Sequence, residues 1–420
     1  MIGGVDEKRR LLLQAAALAM AARAAPGRGA SRARVVVVGG GFAGAACALS
    51  LRRIDATIDI TLVDPEANYV SCPMSNAALV GWRSMASIEV SRAGLARAGI
   101  RIAMGRVVGI DVALQSVRLA DGSTMPYDRL VVAPGIRFLW NTPEGYDEAA
   151  SKRMPHAWVA GAQTELLARQ LRAMDDGGVV AISVPGGLMR CPPGPFERAS
   201  VFAAWLQKNK PRSKVLIFDA NNHFPQQETF SAAWKDLYPG KIEWIPSTDD
   251  GAVTRVDVQG TTLHTGSGAH RVAVANVIPP QAPAQLAVDT GLASGHGWCP
   301  VDPLTFESTL VRKVHVIGDA CIAGAMPKSA SAAYSHALQC ARSIAALLQG
   351  HEPPQAELDS VCYSLLAQDR ALSIHGRFAV NGGAIESLPL PSPTRAPSAT
   401  EEAALAQRWY QRLVADSFGL

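Results

Sequence analysis

The sequence is short of several things that would otherwise decide its class. Its seven cysteines (Cys47, Cys72, Cys191, Cys299, Cys321, Cys340 and Cys362) stand singly, with no C-x-x-C pair. Zinc spacing is therefore missing and no metal site is expected. There is no C-x-x-C-H, so the chain attaches no c-type haem of its own. Seven cysteines in 420 residues are also too few for a disulfide-dense scaffold. Apolar runs of about 20 residues, the length that crosses a bilayer, are missing too. The run from Leu11 to Ala22 is only twelve residues long, and nothing after it looks membrane-spanning. Finally, the body of the chain lacks an excess of either charge. The net +4 sits in residues 1–33, where Lys8, Arg9, Arg10, Arg23, Arg28 and Arg32 face only Asp6 and Glu7. A balanced body has no basic stripe for following a phosphate backbone, which argues against nucleic acid as a partner.

What is present begins with an export signature. Residues 1–33 combine the Arg9-Arg10 pair, a short Ala-rich apolar run and small residues around Arg23, the anatomy of a signal peptide. The arginine pair points to the twin-arginine route, which exports folded proteins, and hence to a periplasmic location. A helical or disordered extension is the alternative reading. In an exported protein one disulfide is chemically permissible. With 48% hydrophobic and 18% charged residues, the chain has enough material for two or three domains with substantial cores.

From Arg34, "RVVVVGGGFAGAACALSLRR" reads as a strand, a glycine turn and a helix, and "ATIDITLVDP" supplies the next strand. Gly39, Gly41 and Gly44 make a G-x-G-x-x-G fingerprint, with Asp64 twenty residues beyond Gly44. The first glycine permits the tight turn, the second lets a pyrophosphate approach the backbone, and the third lets helix pack on strand. Asp64 is placed to accept from a ribose hydroxyl. Further on, "YDRLVVAPG" is a strand ending in a small-residue turn at Gly135, and "KVHVIGDACIAGAMPKSASAAYSHAL" sets Gly318-Asp319 between a strand and a helix around Ser329 to Leu338. An acid there suits the ribityl hydroxyls of a flavin, and the helix N-terminus suits the electron-rich end of its ring.

A second βαβ pattern lies between these: a helix near Thr164 to Met174, the strand "VVAISV", a helix around Phe196 to Gln207 and the strand "VLIFDA". No second glycine fingerprint follows Val184. Pro185-Gly186-Gly187 leads into Leu-Met-Arg-Cys and Pro-Pro-Gly-Pro, and prolines remove the amide donors a pyrophosphate needs. A nicotinamide site is therefore not expected, and Asp219 reads as a turn residue. The expected organisation is residues 34–150 and 281–345 as one split dinucleotide-binding domain, 151–280 as a second Rossmann-like domain, and 346–420 as a C-terminal domain ending in a helix from Glu401 to Asp416.

Five segments together, "SCPMSN", "MRCPPGPFERAS", "GWCPVDPLTFES", "VHVIGDACIAGAMPKSA" and "SVCYSLL", resemble the flavoprotein subunit of flavocytochrome c sulfide dehydrogenase, collinearly from about residue 34 onward. The resemblance implies an α/β, glutathione-reductase-like fold with two dinucleotide-binding domains and a C-terminal interface domain. It implies FAD beneath a redox-active disulfide formed by Cys191 and Cys362, with Glu197, in the first turn of a helix capped by Pro195, managing protons. Cys72 matches the cysteine that tethers the flavin covalently, although Pro73 stands where the family commonly has an aromatic. The expected FAD contacts are Gly39, Gly41, Phe42, Ala43, Gly44, Asp64, Cys72, Val107, Gly135, Asp319 and Lys328, and Trp409 resembles an aromatic near the flavin and the partner. The implied substrate is sulfide, and the implied partner is a separate c-type cytochrome subunit that carries the haem. Cys47 and Cys340 read as core packing. The rival readings are a sulfide:quinone oxidoreductase, a related flavoprotein supporting thiosulfate oxidation, an NAD(P)H-dependent disulfide reductase, and an FAD protein merely stapled by its cysteines.

Overall fold

Four consecutive valines make β1 (Arg34–Val38), buried along its length as a central parallel strand must be. Gly39, at φ +95°, turns the chain into α1 (Phe42–Ile54), and β2 (Asp59–Asp64), the single-turn α2 (Ser75–Leu79), β3 (Arg101–Met104) and β4 (Arg129–Val132) follow. The central lobe then runs α3 (Ala162–Ala173), β5 (Val179–Val184), α4 (Gly194–Asn209), β6 (Lys214–Asp219), β7 (Ile242–Ile245) and β8 (Val274–Val277). The chain returns through β9 (Val314–Val316) and α5 (Ala330–Leu348). It finishes with β10 (Leu358–Ala367), β11 (Arg370–Asn381), β12 (Ala384–Leu388) and α6 (Ala399–Phe418). These are the elements of a computed structural model that describes residues 32–293, 297–390 and 397–420. Residues 1–31, which hold nearly all of the expected export segment, lie outside the described residues.

Two parallel sheets organise the molecule. The first has the order β9-β4-β1-β2-β3, so its outermost strand is contributed by chain on the far side of the central lobe. The second has the order β7-β6-β5-β8. The C-terminal sheet, β10-β11-β12, is antiparallel.

Alanine-rich faces let α1 and α5 pack closely. Cys47 and Cys340, both fully buried, meet between them as packing residues. The central lobe has its own core, built around Phe196, Phe202 and Phe230. α6 opens with a capping box, Ser398 with Glu401, and buries Ala403, Ala406, Tyr410, Leu413 and Phe418. Among the described residues no helix is long and apolar enough to cross a membrane.

Three local expectations change. α4 starts at Gly194 with Pro193 as its cap, so Pro195 falls inside the first turn, where a missing donor costs nothing. α5 continues to Leu348, well past Leu338, because its buried Ala and Ile face continues and no helix breaker intervenes before Gly350. The segment from 358 to 388, to which no strand is assigned from sequence, pairs into the antiparallel sheet that carries Cys362.

Candidate functional site

At the carboxyl ends of β1, β2, β4 and β9 lies a cavity of about 1150 Å³, the crevice where parallel α/β sheets bind ligands. Its dinucleotide end is built by the glycine turn. Gly41, Phe42 and Ala43 line the cavity, and the Gly41 cap position makes no side-chain hydrogen bond, so the first amides of the 13-residue α1 are left to a ligand. Gly39 and Gly44 do not line it. A Cβ on Gly39 would collide with the Ala133 carbonyl oxygen, and one on Gly44 with the carbonyl oxygen of Gly39. These two glycines therefore serve the ligand by letting backbone approach backbone.

Asp64 lines the cavity but is not idle. It accepts from Gly40 N (2.6 Å) and pairs with Arg92 (3.0 Å). Arg92 went unnoticed in the sequence, being a lone arginine without a motif. It is 4% exposed, donates to the Glu66 carbonyl, and its Nε has no hydrogen-bond partner among the described residues. A Cβ on Gly40 would lie 2.5 Å from that Nε, so the middle glycine of the "GGG" run makes room for the guanidinium. Val107 and Gly135 also line the cavity.

At the other end Asp319 lines the cavity, its carboxyl pushed up by burial and eased down by Arg190 and Lys328. Lys328 requires a correction. It is not among the cavity-lining residues: its ammonium is turned onto the carbonyls of Asp319 (2.8 Å) and Cys321 (2.9 Å) and lies over the Trp298 ring. Backbone direction decides this. The Lys328 carbonyl is the group that faces the site, accepting from Cys191 N at 2.7 Å.

Cys191, Cys362, Glu197 and Cys72 come from three separate segments, Cys191 and Glu197 sharing one, and all line the same cavity. Cys191 adopts the left-handed conformation, φ +53°, a strained state for a residue with a Cβ. Its amide is held by Lys328 and its carbonyl by Gly194 N (2.8 Å). A Cβ on Gly194 would come within 2.8 Å of the Trp158 ring and 3.1 Å of Cys191 Sγ, which explains the glycine inside the Pro-Pro-Gly-Pro run. Cys362 sits on β10 beside the hydroxyls of Ser329 and Ser360. All seven cysteines carry unpaired thiols in this structure, so the Cys191–Cys362 bond implied by the resemblance is not formed here. Burial pushes the Cys191 thiol well up, with Cys362 and Glu197 adding to the rise and Arg190 opposing it. Burial raises Cys362 also.

Two arginines next to motif residues complete the electrostatics. Arg190 donates to the Trp158 carbonyl, the group that Cys72 Sγ also approaches (3.8 Å), and faces Asp319 at 3.8 Å. Arg198 lies 4.9 Å from the centre of the Trp158 ring. Trp158 thus organises both arginines, and nothing in its sequence context signals it. Trp409 lines the cavity against Tyr363 (5.5 Å). Asp219 is buried and bonded to Asn221 and Trp244, a structural role as expected. Among the described residues no cluster of His, Cys, Asp or Glu has metal-binding geometry.

Glu197 is buried, accepting from Asn76 Nδ2 (3.0 Å) and Leu365 N (3.2 Å), and burial raises its pKa from 4.5 to about 7. A carboxyl with a higher pKa folded than unfolded holds an extra proton in the native state. The stability this brings is complete below about pH 4.5 and is lost as the pH rises to about 7. Glu197→Gln abolishes that loss. At pH 8 the variant should gain about 1–2 kcal/mol, the larger desolvation gain being partly offset by a weakened hydrogen bond, and at pH 4.5 it should gain nothing. Urea unfolding at the two pH values checks this, and an equal effect at both would contradict the assignment.

Free helix-terminal amides, an acid at the end of β2, an unpartnered buried guanidinium nitrogen and a cavity of this size fit FAD, and two thiols line the same cavity. Fold and site together define an FAD-binding flavoprotein oxidoreductase of the two-dinucleotide-domain type. The comparisons agree. Residues 33–159 match the pyridine nucleotide-disulphide oxidoreductase family, residues 164–279 the central region of the sulfide dehydrogenase [flavocytochrome c] flavoprotein chain, and residues 354–418 the flavocytochrome c sulphide dehydrogenase flavin-binding region. The chain is 59% identical over 44 residues to the sulfide dehydrogenase flavoprotein chain of Chlorobaculum thiosulfatiphilum, an alignment covering 10% of this chain and 92% of that sequence. It is 29% identical over 182 residues to the sulfide-quinone reductase of Aquifex aeolicus, covering 43% and 41% of the two chains. In fold it is similar to the solved sulfide:quinone oxidoreductase of that bacterium, with a TM-score of 0.72 at 16% identity over 92% of both chains. The chain belongs to the family of the flavoprotein subunit of flavocytochrome c sulfide dehydrogenase.

Proposed function

We propose that this chain oxidises sulfide at a disulfide formed between Cys191 and Cys362 and passes the electrons through FAD to a c-type cytochrome subunit. The observation that carries the reading is that two cysteines far apart in sequence line the cavity that the glycine turn also lines, with Glu197, six residues after Cys191, accepting from Leu365 N in the strand that carries Cys362. Hydrosulfide attacks one sulfur of the oxidised pair. A new S–S bond forms to the incoming sulfur, the Cys191–Cys362 bond breaks, and one cysteine is left as a persulfide with the other as a thiolate. Two electrons thereby pass from sulfide to the former disulfide. The Glu197 carboxylate receives the proton of the incoming sulfur, a task suited to a group that ionises near neutrality. Arg190, the cation opposing the rise in Cys191, steadies the anions that form. Bound FAD supplies a two-electron acceptor that is able to release electrons one at a time. Because this chain has no C-x-x-C-H, the one-electron haem belongs to a partner.

Anaerobic titration with sulfide should bleach the flavin absorbance, NADH should not, and a c-type cytochrome should be reduced in preference to a quinone analogue. Quinone reduction in its place would favour the quinone-reductase reading. Against that reading, the apolar face of α6 is buried on the body of the protein and so is not offered to a membrane.

Cys72 lines the cavity with Arg190 beside it and is proposed to tether the flavin. Acid denaturation should leave flavin on the wild-type chain, detectable as added mass, and release it from Cys72→Ala. The export segment is proposed to deliver the protein to the periplasm. Cell fractionation, with Arg9 and Arg10 both changed to Lys, tests the route.

A further inference from the structure

Resting on the reading that Glu197 exchanges a proton during sulfide oxidation, the geometry points to Asn76 as the positioning residue that orients the Glu197 carboxylate and favours its ionised form. Asn76 is itself held in that orientation by Arg198. Asn76 is buried on α2, four residues after Cys72, and lines the cavity.

Its orientation follows from one-way hydrogen-bonding groups. The carbonyls of Pro155 and His156 can only accept, so Asn276 turns its amide nitrogen to them (2.7 Å each) and its oxygen to Arg198 Nη1 (2.8 Å). Arg198 can only donate. Nη1 also donates to the His156 carbonyl (3.1 Å), Nη2 donates to the Ala157 carbonyl (2.8 Å), and Nε donates to Asn76 Oδ1 (3.0 Å). Asn76 therefore has no choice of rotamer face: its oxygen is fixed on Arg198, and its NH2 group points at Glu197 Oε2 (3.0 Å) and the Gly194 carbonyl (3.4 Å). Leu365 N supplies a donor to the other carboxylate oxygen.

Two donors aimed at both oxygens favour the carboxylate, against the burial that favours the acid. The charged and titratable groups facing Glu197 are Arg198 from its own helix, Cys191 from the preceding turn and Cys362 from β10. Asn76 on α2 is neutral, so it transmits orientation without adding charge. Without it, the buried acid would keep its proton to a higher pH and would lose its aim.

The test measures the rate of flavin reduction by sulfide in a single turnover of the holoprotein across pH. Hydrogen sulfide ionises near neutrality itself, but that contribution is common to every variant. Asn76→Asp retains the acceptor for Arg198, replaces the donor that faces Glu197 and adds a like charge beside it, whereas Asn76→Ala removes the donor without adding charge. Asn76→Asp should move the acid limb of the profile upward by at least about one pH unit, with FAD content unchanged. Asn76→Ala should move it upward by about one unit. A limb that stays in place in both variants, with FAD bound, overturns the proposal. Glu197→Gln separates the two layers. If it preserves the limb, Glu197 is not the proton carrier; if it abolishes the limb while the Asn76 variants leave it unmoved, only the role of Asn76 falls. Infrared titration of the protonated carboxyl band, identified by its loss in Glu197→Gln, reads the Asn76 effect independently of turnover. An unshifted titration there also overturns the proposal.

Discussion

Alanine at Cys191 or at Cys362 should slow the reduction of bound flavin by sulfide at least about 10³-fold, and the double variant should be no slower than either single one. The two sulfurs make one bond, so removing either removes the electrophile entirely. The flavin spectrum should survive, because neither cysteine belongs to the glycine turn or to the Asp64–Arg92 pair that shape the dinucleotide end. A staple reading gives the opposite pattern. Closing a loop of about 170 residues would restrict the unfolded chain by roughly 5 kcal/mol, so the variants would melt early while turnover persisted. Stopped-flow reduction set beside calorimetry on the same samples separates these outcomes. Retained turnover in Cys191→Ala would sink the proposed chemistry.

The second large effect is expected from Gly44→Ala. The added methyl would occupy the space of the Gly39 carbonyl oxygen and already touches Val37 at 3.3 Å, so α1 would have to withdraw from β1. Overpacking of rigid backbone on this scale costs on the order of 3 kcal/mol or more, and it also displaces the amides meant for the pyrophosphate. The purified variant should be colourless or insoluble. Gly41→Ala is the informative companion. Its Cβ meets only the Tyr69 ring, at 3.5 Å, so the fold should hold while the cavity-lining turn becomes bulkier and flavin retention falls. The flavin-to-protein absorbance ratio and the urea midpoint of each variant check both statements. Equal stability of the two variants would contradict the packing argument.

Much of the dinucleotide end was legible because its residues are neighbours in the chain. Thirty-one positions, from Arg34 to Asp64, hold the strand, the turn, the helix and the acid, and each is dictated by local chemistry: β-branched residues for β1, glycines for the turn, alanines for a closely packed α1. Cys191, Cys362 and Glu197 were singled out through the residues around them, since the Pro-Pro-Gly-Pro and Cys-Tyr-Ser contexts are short words that carry the resemblance. Arg92 and Trp158 carry no such word. Their importance lies in a guanidinium under the glycine turn and a carbonyl shared by Arg190 and Cys72, contacts between segments remote in sequence. Lys328 shows the same limit from the other side. It was expected among the FAD contacts, yet it does not line the cavity, because two carbonyls and the Trp298 ring capture its ammonium.

The linear order of residues thus determined the fold class and the conformation of the glycine turn, and it singled out the cysteines on which the proposal rests, all through local backbone preference or short contiguous words. Folding alone decided the left-handed turn at Cys191, the bond from its amide to Lys328, and the one-way amide chain from Asn276 to Glu197. Those features arise where side chains from separate elements compete for the same donors and acceptors inside a buried space. No single stretch of chain contains the parties to that competition.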